Sequence, residues 1–234
     1  MPDRGLLEPD AIVTAALVGP HPAPWTLTGA RWAQVTFEVE REAAMARMPG
    51  DVSRPVPCYA RLFLVDAADS PAGPLCMAAL MLGGRFRMLP KNVLVDAVVE
   101  GASAAVAGAF GAPFRPGTMN LTRDGARLEA VVADESGELA RVTLPALYAV
   151  DLALLRWDAW LGYVDHDGAP AIVEYGPQPE PREAFLSKGA TVETPAALPR
   201  GHAWRALRSI GTITACYEEG TLTLSEPVFQ QVMG

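Results

Sequence analysis

Short apolar segments recur along the whole chain and are separated by residues that favour turns. The clearest of them, in chain order, are 34–40, 56–65, 74–82, 92–99, 127–133, 138–144, 160–164, 169–175, 210–217 and 221–224. Long helical patterns are scarce between them, and strands at such short spacing are typical of a β-barrel or a β-sandwich. The sequence therefore predicts a mostly β (α+β) fold with a few short helices.

Local patterns divide these segments into hairpins and isolated elements. Turn sequences predict three hairpins, with their loops at 134–137, 165–168 and 218–220. Other patterns predict short helices at 10–17, 41–48 and 101–110, an apolar run across the core at 147–155, and a proline-rich break at 176–181. Val35, Phe37 and Val39 alternate with polar residues, so this strand is expected to bury one face.

Length and charge limit the domain organisation and the partners. A chain of 234 residues, half of them hydrophobic, can bury one sizeable core. We expect a single domain over 1–234, in which residues 1–30 form an N-terminal arm. The formal net charge of −8, with no basic run, argues against nucleic acid as a partner, because phosphate binding needs clustered cations.

The cysteines and the N-terminus indicate the compartment. Cys58, Cys76 and Cys216 lie in apolar segments without the spacing of metal ligands, as is typical of free thiols in a reducing environment. The first residues lack the order of a secretory signal, and no segment approaches the roughly 20 apolar residues that span a membrane. We expect a cytoplasmic protein with no membrane partner.

One motif gives the chain a family resemblance. The stretch from Ala107 to Gly117 reads AGAFGAPFRPG, and an Arg-Asp-Gly turn at 123–125 and a strand-like run at 127–132 follow it. This order resembles the core segment of the acetoacetate decarboxylase superfamily, in which Pro-Lys-Lys or Pro-Lys-Arg precedes an Arg-Asp-Gly hairpin. The resemblance runs from about Val35 to Leu224. It implies an acetoacetate decarboxylase-like antiparallel β-barrel or cone, and a homo-oligomer.

The lysine of the family's motif is replaced in this chain. By the resemblance, Phe114 stands where the family has its Schiff-base lysine, and Arg115 matches the second cation of the pair. Acetoacetate decarboxylase is itself the known example of a lysine activated by a neighbouring cation. Phenylalanine has no nucleophile and arginine stays protonated, so the motif predicts that imine-mediated decarboxylation is lost.

The resemblance and the residue types suggest three catalytic candidates. Arg115 is predicted to bind a carboxylate or enolate oxygen, and its alternative is a turn arginine in water. By the resemblance, Arg31 falls near an arginine that family members use in the active site. The alternative is that its side chain is solvated or salt-bridged. Glu38, on the polar face of its strand, is the candidate general base if that face lines a lumen rather than solvent.

A set of apolar and aromatic residues is predicted to line the substrate pocket, with core packing as the alternative for each. The set consists of Phe114, Phe110, Met77, Met81, Phe63 and Met119, with Tyr148 as a hydrogen-bond donor to a ligand carbonyl. No cofactor and no metal are predicted, because the three histidines lack ligand or triad spacing and no phosphate-binding loop follows a strand.

These predictions combine into one function with two alternatives. We expect an acetoacetate decarboxylase-like enzyme that acts without covalent imine chemistry on an apolar small molecule bearing a carbonyl or carboxylate. Its reaction would be a cyclisation, isomerisation, dehydration or elimination in natural-product biosynthesis, since holding a reactive conformer lowers a barrier. The alternatives are a non-catalytic protein that binds lipophilic ligands, and a decarboxylase that uses a displaced lysine such as Lys91.

Overall fold

Two β-sheets form most of the structure. The computed structural model describes residues 3–19, 21–151, 155 and 157–233. In chain order, the strands are β1 (Trp25–Glu38), β2 (Tyr59–Ala67), β3 (Leu75–Phe86), β4 (Leu89–Glu100), β5 (Arg115–Pro116), β6 (Thr118–Asp124), β7 (Arg127–Asp134), β8 (Gly137–Leu144), β9 (Leu147–Ala149), β10 (Trp160–His166), β11 (Ala169–Tyr175), β12 (Pro177–Ser187), β13 (Thr191–Glu193), β14 (Gly211–Leu224) and β15 (Val228–Val232). The α-helices are α1 (Arg41–Met45), α2 (Ser103–Phe110) and α3 (Ala203–Ala206). This composition confirms the mostly β fold.

The strands pair mainly with antiparallel neighbours. The larger sheet has the order β15-β11-β10-β4-β3-β2-β1-β14-β12-β9, with β5 paired to β4, and the smaller sheet has the order β13-β8-β7-β6. The pairs of β4 with β10 and with β5 are parallel. Within the described residues, no helix is long and apolar enough to cross a membrane.

The larger sheet curls so that Phe110 of α2 bridges two strands that are distant in the sheet, β1 and β11. The ring of Trp25 in β1 lies 5.4 Å from that of Phe110 in α2, and Phe110 lies 5.5 Å from Tyr175 in β11. The ring of Trp160 in β10 also contacts the ring of Tyr175, with 5.7 Å between the two centroids. The concave face of the sheet therefore encloses an apolar interior.

Each face of the curled sheet has its own core. The inner cluster fills the concave side, and its large side chains are Trp25, Leu27, Trp32, Phe63, Val65, Leu75, Met77, Met81, Leu94, Phe110, Trp160, Tyr175, Leu222 and Leu224. The outer core lies against the smaller sheet and includes Val35, Phe37, Leu62, Leu80, Val93, Met119, Leu128, Val142, Trp204 and Tyr217. Because side chains alternate along a strand, neighbouring residues of β1 to β4 belong to different cores.

The predicted hairpin at 210–224 is wrong, because β14 continues through residues 218–220. The backbone of Gly220 runs very close to β12: a Cβ atom at this position would lie 2.4 Å from the carbonyl oxygen of Glu180. A glycine is needed here because two strands approach each other closely, and not because the chain turns. The other two predicted hairpins, β7–β8 and β10–β11, are confirmed.

The predicted break at 176–181 is also wrong, because only Gly176 lies outside the strands and residues 177–181 begin β12. Pro177, Pro179 and Pro181 lie opposite Leu224, Leu222 and Gly220 of β14. The β9 strand pairs only with residues 185–187 on the other side, so the prolines occupy a sheet edge. Edge strands tolerate proline because one side of the backbone needs no ladder donor.

Differences near the N-terminus and around residue 150 are smaller. The helix predicted at 10–17 is a single 3₁₀ turn at Pro9–Ala11, and β1 begins at Trp25, within the stretch predicted as an arm. Of the run at 147–155, β9 covers Leu147–Ala149, and residues 152–154 lie outside the described residues. The helices at 41–48 and 101–110 are confirmed as the shorter α1 and α2.

Candidate functional site

Phe114 and Arg115 point to opposite sides of the larger sheet. β5 is extended, and Arg115 lies opposite Val98 of the outer core, whereas Pro116 lies opposite Val99 of the inner cluster. Phe114 is half-buried and packs against the inner cluster. Phe114, which the sequence motif aligns with the family's lysine, therefore borders the interior, and its neighbour faces away from it.

The Arg115 guanidinium is engaged by carboxylates of the protein. Its Nε and one terminal nitrogen donate to the two oxygens of Asp96 at 2.9 and 2.8 Å, and the other terminal nitrogen donates to Asp134. Trp204 Nε1 also donates to Asp96, at 2.7 Å. Burial alone lowers the pKa of Arg115, but the bonds and charges of Asp96 and Asp134 outweigh it and raise the pKa. Arg115 thus lies in a network between the two sheets.

Four of the residues predicted to line a pocket belong to the inner cluster. Phe63, Met77, Met81 and Phe110 are fully buried there, and Phe114 packs beside them. Met119 instead lies in the outer core. The structure therefore brings together five of the six apolar residues that the sequence singled out.

The remaining predicted residues lie nearer to solvent. Tyr148 is exposed on β9, with the ammonium of Lys188 5.7 Å from its ring centroid. Arg31 forms an ion pair with Asp66, and its side chain is 42% exposed. Glu38 is exposed at the end of β1, where the strand passes out of the enclosed part of the sheet.

A buried carboxyl group, Glu218, lies on the concave face of β14. It is opposite Trp32 of β1 and two residues from Cys216, and its exposed fraction is 0%. Burial raises the pKa of Glu218 to about 7, and the nearby groups of Trp32, Cys216 and Trp157 lower it only in part. A carboxyl group with this pKa exists in both protonation states near neutral pH.

The buried polar atoms around Glu218 have few hydrogen-bond partners. Cys216 Sγ donates to Glu218 Oε1 at 3.8 Å. Among the described residues, Glu218 Oε2 and Trp32 Nε1 make no hydrogen bond of normal length, although Trp32 lies close enough to lower the pKa of the carboxyl. Buried polar atoms usually have a partner, and one without a partner calls for an explanation such as a catalytic role or a bound water. The Trp32 N–H and the Glu218 carboxyl thus lie side by side in the interior.

A row of polar residues on the same face leads from Glu218 towards the end of β1. Gln34 and Thr36 are buried on β1, opposite Cys216 and Thr214 of β14. Arg61 of β2, opposite Thr36, donates to Thr36 Oγ1 and to Asp158 Oδ2, both at 3.3 Å. The polar row therefore has a cation near one end and Glu218 near the other.

Aromatic rings and a surface groove lie next to this row. Phe63 makes edge-to-face contacts with Trp157 and Trp160, at 5.6 and 5.0 Å between centroids. Trp157 and Tyr175 also line a groove of about 590 Å³, where the ends of β11 and β14 meet the starts of β1 and β12. Trp157 thus lies between solvent and the Glu218 carboxyl.

Neither lysine of the chain enters the interior. Lys91 Nζ lies 2.6 Å from Glu174 Oε1, and Lys91 shares the outer side of β4 with Val93. Lys188 is exposed. Among the described residues, no group of three or more His, Cys, Asp and Glu side chains is arranged to hold a metal ion.

Sequence reasoning missed Glu218, Trp32, Gln34 and Arg61. Glu218 was assigned to a turn because Glu-Glu-Gly is a typical loop sequence. The alternation of Cys216, Leu222 and Leu224 contained the necessary information, because it places residue 218 on the same buried face.

Comparisons with known proteins agree on the architecture. Neither the family models nor the curated proteins compared with the chain match it. Among solved structures, acetoacetate decarboxylase superposes with a TM-score of 0.76 at 13% identity, over 91% of each chain. The enduracididine biosynthesis enzyme MppR, complexed with pyruvate, gives 0.73 at 14% identity, over 89% of this chain and 91% of that one.

A third solved structure extends the match to almost the whole chain. An acetoacetate decarboxylase-like enzyme from Sphingomonas wittichii RW1 superposes with a TM-score of 0.68 at 16% identity, over 99% of this chain and 100% of that one. The fold implied by the Ala107–Gly117 motif is thereby confirmed. The protein has the acetoacetate decarboxylase fold.

Proposed function

We propose that the protein is an enzyme for small carbonyl compounds, in which Glu218 transfers a proton and no covalent imine forms. The observation that carries this proposal is a fully buried carboxyl group, with a pKa of about 7, inside an aromatic interior. General acids and bases work best when their pKa lies near the working pH. Burial raises the pKa of the Glu218 carboxyl into this range.

The surroundings of Glu218 suit reactions at a carbonyl group. As carboxylate, Glu218 would take a proton from the carbon next to the carbonyl, and as acid it would return one. The buried Trp32 N–H, beside the Glu218 carboxyl, would donate to the carbonyl oxygen, where negative charge develops during proton removal. Keto–enol isomerisation, dehydration and elimination next to a carbonyl, and cyclisation through an enolate, all include such a proton transfer.

The positions of the lysines favour a non-covalent mechanism. Phe114 borders the interior, Lys91 is paired with Glu174 on the outer side and Lys188 is exposed. A Schiff base requires a neutral amine beside the substrate. Borohydride treatment with a panel of ketones, followed by mass spectrometry, should leave both lysines unmodified, and an adduct on either would reject this mechanism.

Structural neighbours suggest the class of substrate. MppR binds pyruvate and the condensation product of pyruvate and imidazole 4-carboxaldehyde. We extend to this chain a carbonyl-bearing small molecule and a role in natural-product biosynthesis. The free cysteines accord with a cytoplasmic enzyme, and exposed Val228, Phe229 and Val232 on the edge strand β15 accord with a homo-oligomer.

Deuterium exchange tests the role of Glu218. A panel of small 2-oxo and 3-oxo acids and plain ketones is incubated with the protein in D₂O and followed by NMR. We expect faster exchange next to the carbonyl of at least one compound, and a loss of roughly 10²- to 10⁴-fold in Glu218→Gln. Glu180→Gln, which changes an exposed carboxylate on β12, should exchange like the wild type.

The same assay separates this proposal from its competitors. If Glu38→Gln rather than Glu218→Gln abolishes exchange, the exposed carboxylate of β1 is the base. If a compound that binds the protein is recovered without exchange or conversion, and no other compound reacts, the protein is a ligand carrier and the enzymatic proposal is wrong.

A further inference from the structure

Arg61 lies on the concave face of β2 with little solvent contact. It is two residues from Phe63, which belongs to the inner cluster, and it is opposite Thr36 of β1 and Met81 of β3. Its side chain is 11% exposed. A guanidinium in such a position normally has a strong anionic partner, because burying a charge without one is costly.

Thr36 and Asp158 form only long hydrogen bonds with the Arg61 guanidinium. Its contacts with Thr36 and Asp158 are both 3.3 Å long, whereas charge-assisted bonds are typically about 2.7–2.9 Å. Among the described residues, its second terminal nitrogen makes no hydrogen bond. Arg115, by contrast, holds Asp96 with two bonds of 2.9 and 2.8 Å. Arg61 therefore retains donors for a further acceptor.

The charge of Arg61 reaches Cys216, which lies two residues from Glu218 on β14. Burial and the Glu218 carboxyl raise the pKa of the Cys216 thiol to about 12, and the charge of Arg61 opposes that shift. Cys216 and Glu218 are neighbours on one face of β14. The guanidinium thus faces the part of the interior that contains the proposed acid–base group.

We propose that Arg61 binds the carboxylate of the substrate, so that the enzyme acts on small carboxylic acids whose reacting carbon lies beside Glu218. This inference rests on the proposed function and adds the substrate class to it. The planar guanidinium matches a carboxylate with two parallel bonds. Asp158, whose side chain is 27% exposed, can release Arg61 and turn to water.

The spacing of the two groups limits the length of the acid. Thr36, opposite Arg61, and Trp32, opposite Glu218, are four residues apart on β1, which is roughly 13 Å along the strand. Because β2 and β14 flank β1, their backbones are a further distance of about 10 Å apart across the sheet. The two side chains close part of this gap, and the aromatic rings of Phe63 and Trp157 flank it. Acids with several carbon atoms should therefore bind better than pyruvate.

Calorimetric titration with an acid and its neutral amide tests the assignment. The probes are 4-phenylbutanoate and 4-phenylbutanamide, which share an apolar part and differ in charge. Wild type should bind the acid about tenfold more tightly than the amide. Arg61→Met should reduce this preference to less than about twofold and leave amide binding unchanged. Arg182→Met, which changes an exposed arginine, should keep the preference.

Two further variants keep the outcome unambiguous. Arg61→Gln retains a donor for Thr36 and should also lose the preference, so a folding defect in the methionine variant does not decide the result. Glu218→Gln should retain the preference while losing proton exchange, which separates anion binding from chemistry. The inference is wrong if wild type does not prefer the acid, or if both Arg61 variants still do.

Discussion

The carboxyl group of Glu218 lies among tryptophan side chains and reaches no solvent. Glu38, on the same face of the neighbouring strand β1, is exposed. The two residues have the same functional group, and their surroundings give them different chemistry. Burial makes the neutral form of Glu218 the more stable form in the folded protein up to a pH of about 7.

Replacing Glu218 with glutamine should flatten the dependence of stability on pH. The pKa of Glu218 is raised from 4.5 to about 7, so between these values the folded protein keeps a proton that the unfolded chain has released. The free energy of unfolding therefore falls as pH rises through this window, by on the order of 3 kcal/mol, and levels off above it.

Thermal melting at pH 5 and pH 8 measures this effect. From pH 5 to pH 8, the melting temperature of the wild type should fall further than that of Glu218→Gln, because the amide does not ionise. The groups that face Glu218 are Trp32, Trp157 and Cys216, and the first two do not titrate. Equal losses in the two proteins would show that Glu218 ionises like an exposed glutamate.

At the scale of elements, strand alternation was readable from sequence and strand ends were not. Alternation at Val35, Phe37 and Val39 correctly gave residues of the outer core, because only local order is needed for it. The expectation that this strand buries one face is wrong, because Trp32, Gln34 and Thr36 on the other face of β1 are buried too. The continuation of β14 through Gly220 depends on β12, which is about 40 residues away in sequence and supplies the close backbone. Glu218 was missed because Glu-Glu-Gly was interpreted as a turn, although the local alternation places residue 218 on the buried face.

Gly220→Ala should destabilise the protein by about 1–3 kcal/mol, the usual cost of overpacking. The added Cβ would lie 2.4 Å from the carbonyl oxygen of Glu180 and 2.7 Å from Cα of Pro181, so β12 and β14 would have to separate. Gly201→Ala is the matched control, because its Cβ would meet no atom within 4 Å. Urea unfolding of the two variants measures the difference. Equal midpoints would contradict this account of β14.

At the scale of the whole molecule, the two cores differ in what sequence could predict. The family-like motif and the apolar residues of the inner cluster were found from local patterns. The ion-pair network of the outer side joins β4, β5, β7 and α3, and no spacing in the sequence indicates that Arg115 meets Asp96 and Trp204. Such contacts depend on how the smaller sheet lies over the larger one.

Arg115→Met should lower stability by roughly 3–5 kcal/mol, because it leaves Asp96 and Asp134 without their buried counter-charge. It should leave the preference of the protein for the acid probe over its amide intact. Chemical unfolding and calorimetry on the same variant measure both. A stable Arg115→Met protein with no preference for the acid would restore Arg115 as the ligand anchor and remove Arg61 from that role.

The opposite orientations of Phe114 and Arg115 make this segment sensitive to its length. One residue inserted between Gly111 and Phe114 would turn the phenyl ring towards Asp96 and carry the guanidinium in among Trp25 and Phe110. Both cores would be damaged by a single event that changes no existing side chain. Insertions and deletions here should therefore be far more harmful than most substitutions.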